Sequence, residues 1–428
     1  MISIVGVLGF LLLSGVWIGC ALSLTGVFIL YFFGGGANAL VSIPVATWNT
    51  LFNFSLTALP LYIFLGEVFV FSGLAGKSYD ALAPLFERFP GKLLLTNVVV
   101  CALFGAILGS SMACAAAVAA IAYPELSKRG YERRTLVGNL AGAGTLGSFV
   151  PPSLGLIIYG AWVQISVGDC FMAALIPALV TTGLFLLYLI IYYAIRPDIA
   201  PPGSGRTMSL GRAILHTKGI WPLVALILTI AGVIYFGIAT ATEAGGLGAF
   251  LTLVMSASLG TFSWKKLYHS LITTTFVCGM LTFIIVGAVI FSISVSVLGL
   301  PRIVVAFIGE SGFPPLVVIL LVYVLYLILG CFFDFISMLL MTLPFVFPVI
   351  TNLGYDPFWF GVVLVIVGEM GLLTPPVGMN LYVLQGVSKV SLGEVARGSI
   401  PYLLLLGVTL ILITIFPGLC TWLPSTMH

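Results

Sequence analysis

The dominant pattern along this chain is a series of long apolar runs separated by short polar loops. Residues 175–195 and 403–416, for example, contain no charged side chain. Strands of a membrane barrel alternate apolar and polar residues over about ten positions, whereas a bilayer-spanning helix needs about 20 mainly apolar residues. The pattern therefore predicts helices, and the length of the chain leaves room for about ten to twelve crossings or part-crossings.

Composition strengthens this prediction. Of 428 residues, 61% are hydrophobic and 7% are charged, against roughly 25% charged residues in an ordinary soluble domain. So few charges cannot cover a soluble globule, so we expect an all-α polytopic membrane protein surrounded by membrane lipids. The net charge of +3 is small and dispersed, which argues against nucleic acid as a partner.

The start of the chain reads as membrane helix. Residues 1–33 lack a basic stretch and an A-x-A-like cleavage site, which argues against a signal peptide. They fit one long helix or two short helices broken at Gly15 or Gly19, and the side of the membrane on which the chain begins is left open.

The seven cysteines lie singly, without a C-x-x-C pair, so we expect small core residues rather than disulfides or transition-metal ligands.

Basic residues predict the orientation. Fifteen of the sixteen Lys and Arg residues fall in five segments, 77–92, 128–134, 196–218, 265–266 and 389–397, which leaves only Arg302. The positive-inside rule places these five segments in the cytoplasm. One helix follows the last of them, so we expect the C-terminus in the periplasm.

Residues 93–127 do not read as ordinary spans. This segment begins and ends beside basic loops and has Gly109, Ser110 and Ser111 in its middle. Two full spans would need about 40 residues plus a turn. A re-entrant hairpin fits the length, and its polar tip must be enclosed by protein or line a watery cavity.

The chain also contains an internal repeat. A shift of 224 positions superposes Pro124 on Pro348, Gly130-Tyr131 on Gly354-Tyr355, Gly144 on Gly368, Gly147 on Gly371 and Pro151-Pro152 on Pro375-Pro376. The second hairpin is then 316–350, with Gly330 and Asp334 near its tip. Because the first hairpin opens beside basic loops and the second opens on the other side, we expect two inverted-topology repeats, each with a re-entrant hairpin and a discontinuous helix.

The discontinuous helices carry the strongest local signal. Two adjacent prolines midway along a membrane segment stop a helix, because proline lacks the N–H group and clashes with the preceding turn. Pro151-Pro152-Ser153 and Thr374-Pro375-Pro376 do this in the two repeats. Unwound carbonyls can bind Na⁺, and the half-helix beyond points its positive end at an anion.

Three acids lie inside apolar segments, namely Glu67, Asp334 and Glu369. An ionised group there costs at least roughly 2.5 to 3.5 kcal/mol, and no Lys or Arg lies in the same segments. Bound Na⁺ or a hydrogen-bonded neutral carboxyl is therefore favoured over a salt bridge. We assign Asp334 an ion-binding or tip-organising role, and for Glu67 and Glu369 we leave functional and structural roles open.

Several motifs together resemble the large membrane subunit of tripartite ATP-independent periplasmic (TRAP) transporters over nearly the whole chain. They are residues 59–67 (LPLYIFLGE), 109–113 (GSSMA), 123–124 (YP) with 129–131 (RGY), 144–147 (GTLG) with 151–153 (PPS), and 375–378 (PPVG). One departure is Cys114 in an alanine-rich stretch, where family members more often have threonine close behind the serine.

The resemblance implies a subunit of the bacterial inner membrane that drives uptake of an organic acid with Na⁺. The acid, such as a C4-dicarboxylate, sialic acid or a sugar acid, would be delivered by a periplasmic binding protein. The partner in the membrane would be a small four-helix subunit, which we expect as a separate chain. The resemblance also implies an elevator-type transporter, with no cofactor besides Na⁺ as the coupling ion.

Site residues are expected at the tips and breaks of both repeats. The predicted Na⁺ ligands are Ser110, Ser111, Gly144, Thr145, Pro151, Gly330, Asp334, Gly368, Met370, Thr374 and Pro375. The predicted substrate contacts are Ser111, Pro152, Ser153, Asp334, Ser337, Pro376, Gly378 and Asn380. We predict no transition metal.

The predicted organisation has five segments. They are N-terminal scaffold helices (1–92), transport unit 1 (93–169), further scaffold helices with the cytoplasmic loop 196–219 (170–313), transport unit 2 (314–390) and a C-terminal scaffold helix (391–428). Two other functions stay open, a stand-alone Na⁺/carboxylate carrier of similar design and a channel with two re-entrant loops. An enzyme is not expected, because no credible nucleophile and base pair is present.

Overall fold

The protein is described here by a computed structural model that covers residues 2–196 and 217–427. Most of the predicted cytoplasmic loop 196–219, including Arg206 and Arg212, lies outside the described residues.

Every regular element in the described ranges is helical, which confirms the all-α prediction. In chain order the α-helices are α1 (Ile2–Leu13), α2 (Ile18–Phe33), α3 (Ala37–Leu40), α4 (Ser42–Leu51), α5 (Ala58–Phe71), α6 (Leu74–Phe86), α7 (Leu93–Leu108), α8 (Ser111–Lys128), α9 (Arg133–Gly144), α10 (Leu146–Phe149), α11 (Leu154–Val163), α12 (Val167–Ile195), α13 (Trp221–Tyr235), α14 (Ala241–Ser258), α15 (Trp264–Val297), α16 (Leu300–Glu310), α17 (Pro315–Gly330), α18 (Phe335–Asn352), α19 (Pro357–Leu372), α20 (Met379–Ser388), α21 (Leu392–Ile415) and α22 (Gly418–Ser425). Short 3₁₀ turns cover Phe54–Thr57 and Thr217–Ile220.

Helices of membrane-spanning character recur along the chain. Within the described residues, six stretches are long and apolar enough to cross a bilayer: Phe54–Phe71, Arg133–Val163, Val167–Ile195, Trp264–Val297, Phe335–Asn352 and Leu392–Ile415. Five shorter apolar helices are α2, α7, α13, α17 and α19. The chain is therefore built as a multi-pass membrane protein.

The N-terminal segment contains two helices rather than one. The break between α1 and α2 contains Gly15, whose φ of 77° lies in the left-handed region that favours glycine. Of the two arrangements left open by the sequence, the structure has the helix pair broken at Gly15.

The helix boundaries of unit 1 recur in unit 2 with the offset of the sequence repeat. Helix α8 begins and ends 224 positions before α18, and α9 begins 224 positions before α19. In both units two helices joined by a short tip are followed by a helix that breaks at a proline pair. The opposite orientation of the two units in the membrane stays a prediction.

Packing separates two groups of helices. Helix α15 packs along α2 and α5, and α14 packs along α5. Helix α21 instead packs along α9 and also contacts α12 and α19. Its contact with α9 is a backbone contact, because a Cβ atom added at Gly138 would lie 2.1 Å from the carbonyl carbon and oxygen of Gly398.

A buried ladder of polar side chains crosses this second group. The Tyr79 hydroxyl donates to Asn97 Oδ1 (2.8 Å), and Asn97 Nδ2 donates to Asn139 Oδ1 (2.8 Å). Asn139 Nδ2 then donates to the Tyr402 hydroxyl (2.9 Å). All four residues are buried, so the ladder ties α6 and α21 to α7 and α9 where water cannot compete.

Candidate functional site

The tip of the first hairpin is a two-residue link between α7 and α8. Gly109 takes a φ of 61° and Ser110 is extended. The Ser111 N–H donates to Ser148 Oγ (2.8 Å) on α10. A Cβ atom at Gly147 would lie 2.7 Å from the Ser110 carbonyl oxygen. The tip therefore rests directly on the discontinuous helix, and a glycine is required at the contact.

The discontinuous helix of unit 1 unwinds between α10 and α11. The Pro151–Pro152 peptide bond there is cis. The N–H of Leu154, the first residue of α11, donates to the Gly109 carbonyl at the hairpin tip (3.1 Å). The Thr145 hydroxyl donates to the Gly142 carbonyl (2.6 Å). A main-chain hydrogen bond thus fastens the half-helix to the tip.

Unit 2 repeats this arrangement with different side chains. The Gly378 N–H, directly before α20, donates to the Cys331 carbonyl at the second tip (3.0 Å). A Cβ atom at Gly371 would lie 2.6 Å from Gly330 Cα. Each tip is therefore joined to the half-helix of its own unit by one main-chain hydrogen bond, which we call the tip lock.

Asp334 organises the second tip as a helix cap. Its carboxylate accepts a hydrogen bond from the Ser337 N–H (3.1 Å) and a short one from the Ser337 hydroxyl. This is the geometry by which an acid at an N-cap satisfies the free amides of a first helical turn. Asp334 therefore fixes the start of α18, in line with the tip-organising role predicted for it.

Asp334 and Ser337 also line a cavity of about 720 Å³. Its other walls come from the region before and at the start of α2 and from α15: Gly15, Val16, Trp17, Ile18, Gly19, Thr275, Phe276, Gly279, Met280, Phe283 and Ile284. Of the predicted substrate contacts, these two residues share this cavity, whereas Ser153 and Asn380 are fully buried elsewhere. Among the described residues, the side-chain oxygen of Ser153 and both polar atoms of Asn380 have no hydrogen-bond partner.

The two units meet through close contacts of small residues with aromatic rings. Phe335 lies against Gly155 of unit 1 and Gly368 of unit 2, at positions where a Cβ atom would lie 2.1 and 2.4 Å from its ring. The Tyr159 hydroxyl donates to the Pro357 carbonyl (2.6 Å). The two breaks are thus parts of one packed centre.

The proline pairs differ in their surroundings. Pro151 and Pro152 are buried, whereas Pro375 and Pro376, also joined by a cis bond, are exposed. The Thr374 hydroxyl donates to the Met370 carbonyl (2.7 Å), which leaves its lone pairs free. Gly144 and Gly368 are buried against the first turns of α8 and α18. The assignment of these residues as Na⁺ ligands or substrate contacts stays a prediction.

A second acid lies at the centre, beside two serine hydroxyls. Glu369 on α19 is fully buried, and neither carboxylate oxygen has a hydrogen-bond partner in the described part of the chain. The hydroxyls of Ser111 and Ser148 lie next to it, although neither meets hydrogen-bond geometry. Ser148 was absent from the predicted site, because nothing in its local sequence marks it as facing residue 369.

The cavity walls from α2 and α15 were also not predicted. They lie outside the repeats, and their apolar residues resemble any lipid-facing helix in sequence.

Within residues 2–196 and 217–427, no group of three or more His, Cys, Asp or Glu side chains could hold a metal. The oxygen-rich tips and breaks suit an alkali cation better than a transition metal.

Comparison with known proteins agrees with this architecture. The chain matches the family model of the tripartite ATP-independent periplasmic transporter, DctM component, over residues 5–419. It is 30% identical over 393 residues to a C4-dicarboxylate TRAP transporter large permease protein of Pseudomonas aeruginosa, covering 91% of this chain and 90% of the relative. It is also 30% identical to an ectoine/5-hydroxyectoine TRAP transporter large permease protein of Ruegeria pomeroyi, covering 86% of both chains.

A solved structure shares the fold. The Alcanivorax borkumensis YdaH transporter, described as having an unusual topology, superposes with a TM-score of 0.62 at 15% identity, covering 92% of this chain and 90% of that one. The family match spans nearly the whole chain and confirms the resemblance seen in the motifs. The chain therefore belongs to the DctM component family of tripartite ATP-independent periplasmic transporters, as a large permease subunit.

Proposed function

We propose that this subunit imports an organic acid across the bacterial inner membrane with Na⁺ as the coupling ion. The acid is delivered by a periplasmic binding protein, and a small four-helix membrane subunit completes the transporter. The C-terminus lies in the periplasm, and the chain catalyses no covalent chemistry. The observation that carries the proposal is the tip lock, which occurs at corresponding places in both repeats.

The chemistry of the breaks supports ion and acid binding. Unwound backbone frees carbonyl oxygens for Na⁺. Helices α11 and α20 begin without a side-chain cap, so apart from the Leu154 N–H, which bonds to the Gly109 carbonyl, their positive ends stay available to a carboxylate. Organic acids also fit the Pseudomonas aeruginosa relative, which is named for C4-dicarboxylates.

The proposed elevator moves the two units together against the helix group that contains α2, α5, α14 and α15. Inverted orientation of the units is needed for this, because one bound site must be reached from both faces. Lys128 and Asn352 give a matched test, since both end the second hairpin helix of their unit, 224 positions apart, and both are exposed. In a background without native cysteines, Cys at 128 should react with an impermeant maleimide from the cytoplasm and Cys at 352 from the periplasm. Labelling of both from one face contradicts inversion.

Uptake measurements test the coupling. The three subunits are reconstituted in proteoliposomes, and uptake of a radiolabelled C4-dicarboxylate is followed as a function of external Na⁺. Ser110→Ala, Ser111→Ala and Asp334→Asn should each weaken the Na⁺ dependence. Ser258→Ala is the control, because its exposed hydroxyl bonds only within α14. Unchanged Na⁺ activation curves in all three variants contradict the proposed ligand placement.

The same proteoliposomes separate the other functions. Uptake that proceeds without the binding protein indicates a stand-alone carrier. Ion conductance without substrate indicates a channel. Transport of a neutral or zwitterionic solute in preference to acids, as the name of the Ruegeria pomeroyi relative suggests for that protein, contradicts the proposed substrate class.

A further inference from the structure

A second cavity, of about 160 Å³, lies between α5, α6, α13 and α14, away from the tips and breaks. Its walls are mainly apolar and include Phe69, Leu74, Leu223, Leu226 and Met255. An apolar cavity of about 150 Å³ is large enough for a benzene-sized ligand. This cavity therefore has room for about six carbon atoms of a hydrocarbon chain.

One wall of the cavity is polar. It contains Lys77 and Ser78, which are neighbours on α6. Ser78 is only 4% exposed, yet its hydroxyl has no hydrogen-bond partner among the described residues. Lys77 is the only charged side chain among the described residues that line the cavity, and it forms no ion pair with any of them. An ammonium group and a free hydroxyl together suit the oxygens of an anion such as a phosphate.

The position of the cavity matches the headgroup level of a membrane. Trp221, at the start of α13, lines the cavity and is 57% exposed, and tryptophan concentrates at membrane interfaces. The positive-inside rule predicts that Lys77 lies on the cytoplasmic side. Anionic lipids of the cytoplasmic leaflet attract basic groups, and basic pockets between membrane helices bind their headgroups.

We infer that this cavity binds one anionic phospholipid of the cytoplasmic leaflet, with its phosphate at Lys77 and Ser78 and part of an acyl chain in the apolar space. A free phosphate would leave that space unfilled. A zwitterionic phosphatidylcholine would bring a second positive charge close to Lys77, and Asp80, three positions further along α6, does not line the cavity. The inference goes beyond the proposed function, which does not depend on it.

The bound lipid would contact helices of different attachment. Ser78 directly precedes Tyr79, whose hydroxyl donates to Asn97 on α7 of unit 1. The opposite walls include α5 and α14, which pack along each other outside the two units. A ligand that binds one arrangement of a protein stabilises that arrangement, so the lipid opposes displacement of α6 from α14.

Titration of the purified full-length chain with phosphatidylglycerol tests the polar end of the site. Native mass spectrometry from detergent gives the affinity for the first bound lipid, with phosphatidylcholine as the comparison lipid. Lys77→Gln should weaken phosphatidylglycerol binding by about tenfold, as expected for loss of a charged hydrogen-bond donor. Ser78→Ala should weaken it by about threefold. Lys265→Gln is the matched control, because Lys265 is exposed, lies on the same predicted face and does not line the cavity, and its effect should stay below about twofold.

A second pair of variants tests the apolar end. Leu226→Phe places a larger side chain in the cavity wall and should weaken phosphatidylglycerol binding by about fourfold or more, the loss expected when one methylene group is excluded. Leu228→Phe makes the same change two positions further along α13 at an exposed site, and it should leave the affinity within about twofold. If Leu226→Phe does not fold, Lys77→Gln and Ser78→Ala decide, since neither residue has a side-chain partner among the described residues.

Three results would overturn the inference. Equal affinities for phosphatidylglycerol and phosphatidylcholine, or an unchanged affinity in Lys77→Gln and Ser78→Ala, would place the bound lipid elsewhere. Displacement of the lipid by glycerol phosphate at an equal concentration would show a site for the phosphate alone. Loss of the bound lipid when the small membrane subunit is added would assign the cavity to that subunit.

Selective binding of phosphatidylglycerol that is lost in Lys77→Gln and kept in Lys265→Gln is the result expected for the site.

Discussion

The backbone contact between α9 and α21 gives a steric prediction of known size. In Gly138→Ala, the new Cβ atom would start 2.1 Å from the carbonyl group of Gly398. Ordinary contact begins near 3.4 Å, so the helices must separate by about 1.3 Å. Backbone atoms cannot rotate away as a flexible side chain can.

The cost follows from three contributions. Overpacking of this kind costs about 1–3 kcal/mol. The separation also stretches the hydrogen bond from Asn139 to Tyr402, worth about 0.6 kcal/mol inside a membrane. Alanine in place of glycine in a helix offsets about 0.5–1 kcal/mol of this. The net expectation is a loss of about 0.6–3 kcal/mol of unfolding free energy.

Gly183→Ala is the matched control. Gly183 lies within α12, and nothing lies within 4 Å of a Cβ atom placed there, so only the gain in helix propensity applies. The difference between the two variants should be about 1.5–3.5 kcal/mol. It is measured as the free energy of unfolding in mixed micelles titrated with SDS and followed by circular dichroism.

A difference below about 0.5 kcal/mol would refute the reasoning, because it is within the range of ordinary surface substitutions. Gly398→Ala provides an independent check, since its Cβ atom would lie 2.2 Å from the Arg134 carbonyl oxygen. The double variant should cost less than the sum of the single variants, because one separation relieves both contacts.

Three further predictions use the same protein. Asn139→Leu removes three buried hydrogen bonds and should lower the unfolding free energy by about 1–3 kcal/mol in the same assay. The control Thr96→Val deletes a hydroxyl that has no partner among the described residues and should lower it by less than about 0.5 kcal/mol. Equal losses in the two variants would contradict the stabilising role of the ladder. Asp334→Ala should cost about 1 kcal/mol through loss of the helix cap, and Asp334→Ser should restore most of it; an unchanged unfolding free energy in Asp334→Ala excludes the cap. Cysteines at Ser337 and Met280, on different walls of the cavity, should block uptake when joined by a bifunctional methanethiosulfonate, and reduction, which restores both thiols, should recover uptake; full uptake with a confirmed cross-link argues against relative motion of these walls.

The parts of the fold that were predictable depend on local chemistry. A proline pair ends a helix wherever it occurs, so the breaks at Pro151-Pro152 and Pro375-Pro376 follow directly from sequence. The two helix pairs joined by short tips were predicted, and the offset of 224 positions carries one unit onto the other; their re-entrant position in the membrane stays a prediction. The cap at Asp334 also has a local signal, because aspartate directly before an apolar run is typical of a helix start.

The parts that were not predictable depend on contacts between distant segments. Glu369 faces Ser111 and Ser148, more than two hundred positions earlier in the chain, and neither serine is distinguished by its neighbours. The cavity walls on α2 and α15 are apolar, and apolar residues in a membrane helix can face lipid, protein or a cavity with the same sequence pattern. The register of helices against each other is set by packing, so such pairings need three-dimensional coordinates.

The tip lock has a consequence for how such a carrier can diversify. Its hydrogen bonds run between main-chain groups, from Leu154 to Gly109 and from Gly378 to Cys331, and the amide and carbonyl of a peptide are the same whichever side chain they carry. Substitutions beside a tip can therefore change side chains there without removing these hydrogen bonds, provided that Gly109 and Gly378, whose φ values are both 61°, stay glycine. Two relatives at 30% identity are named for solutes as different as C4-dicarboxylates and ectoine, and main-chain hydrogen bonds of this kind are compatible with such a change of side chains.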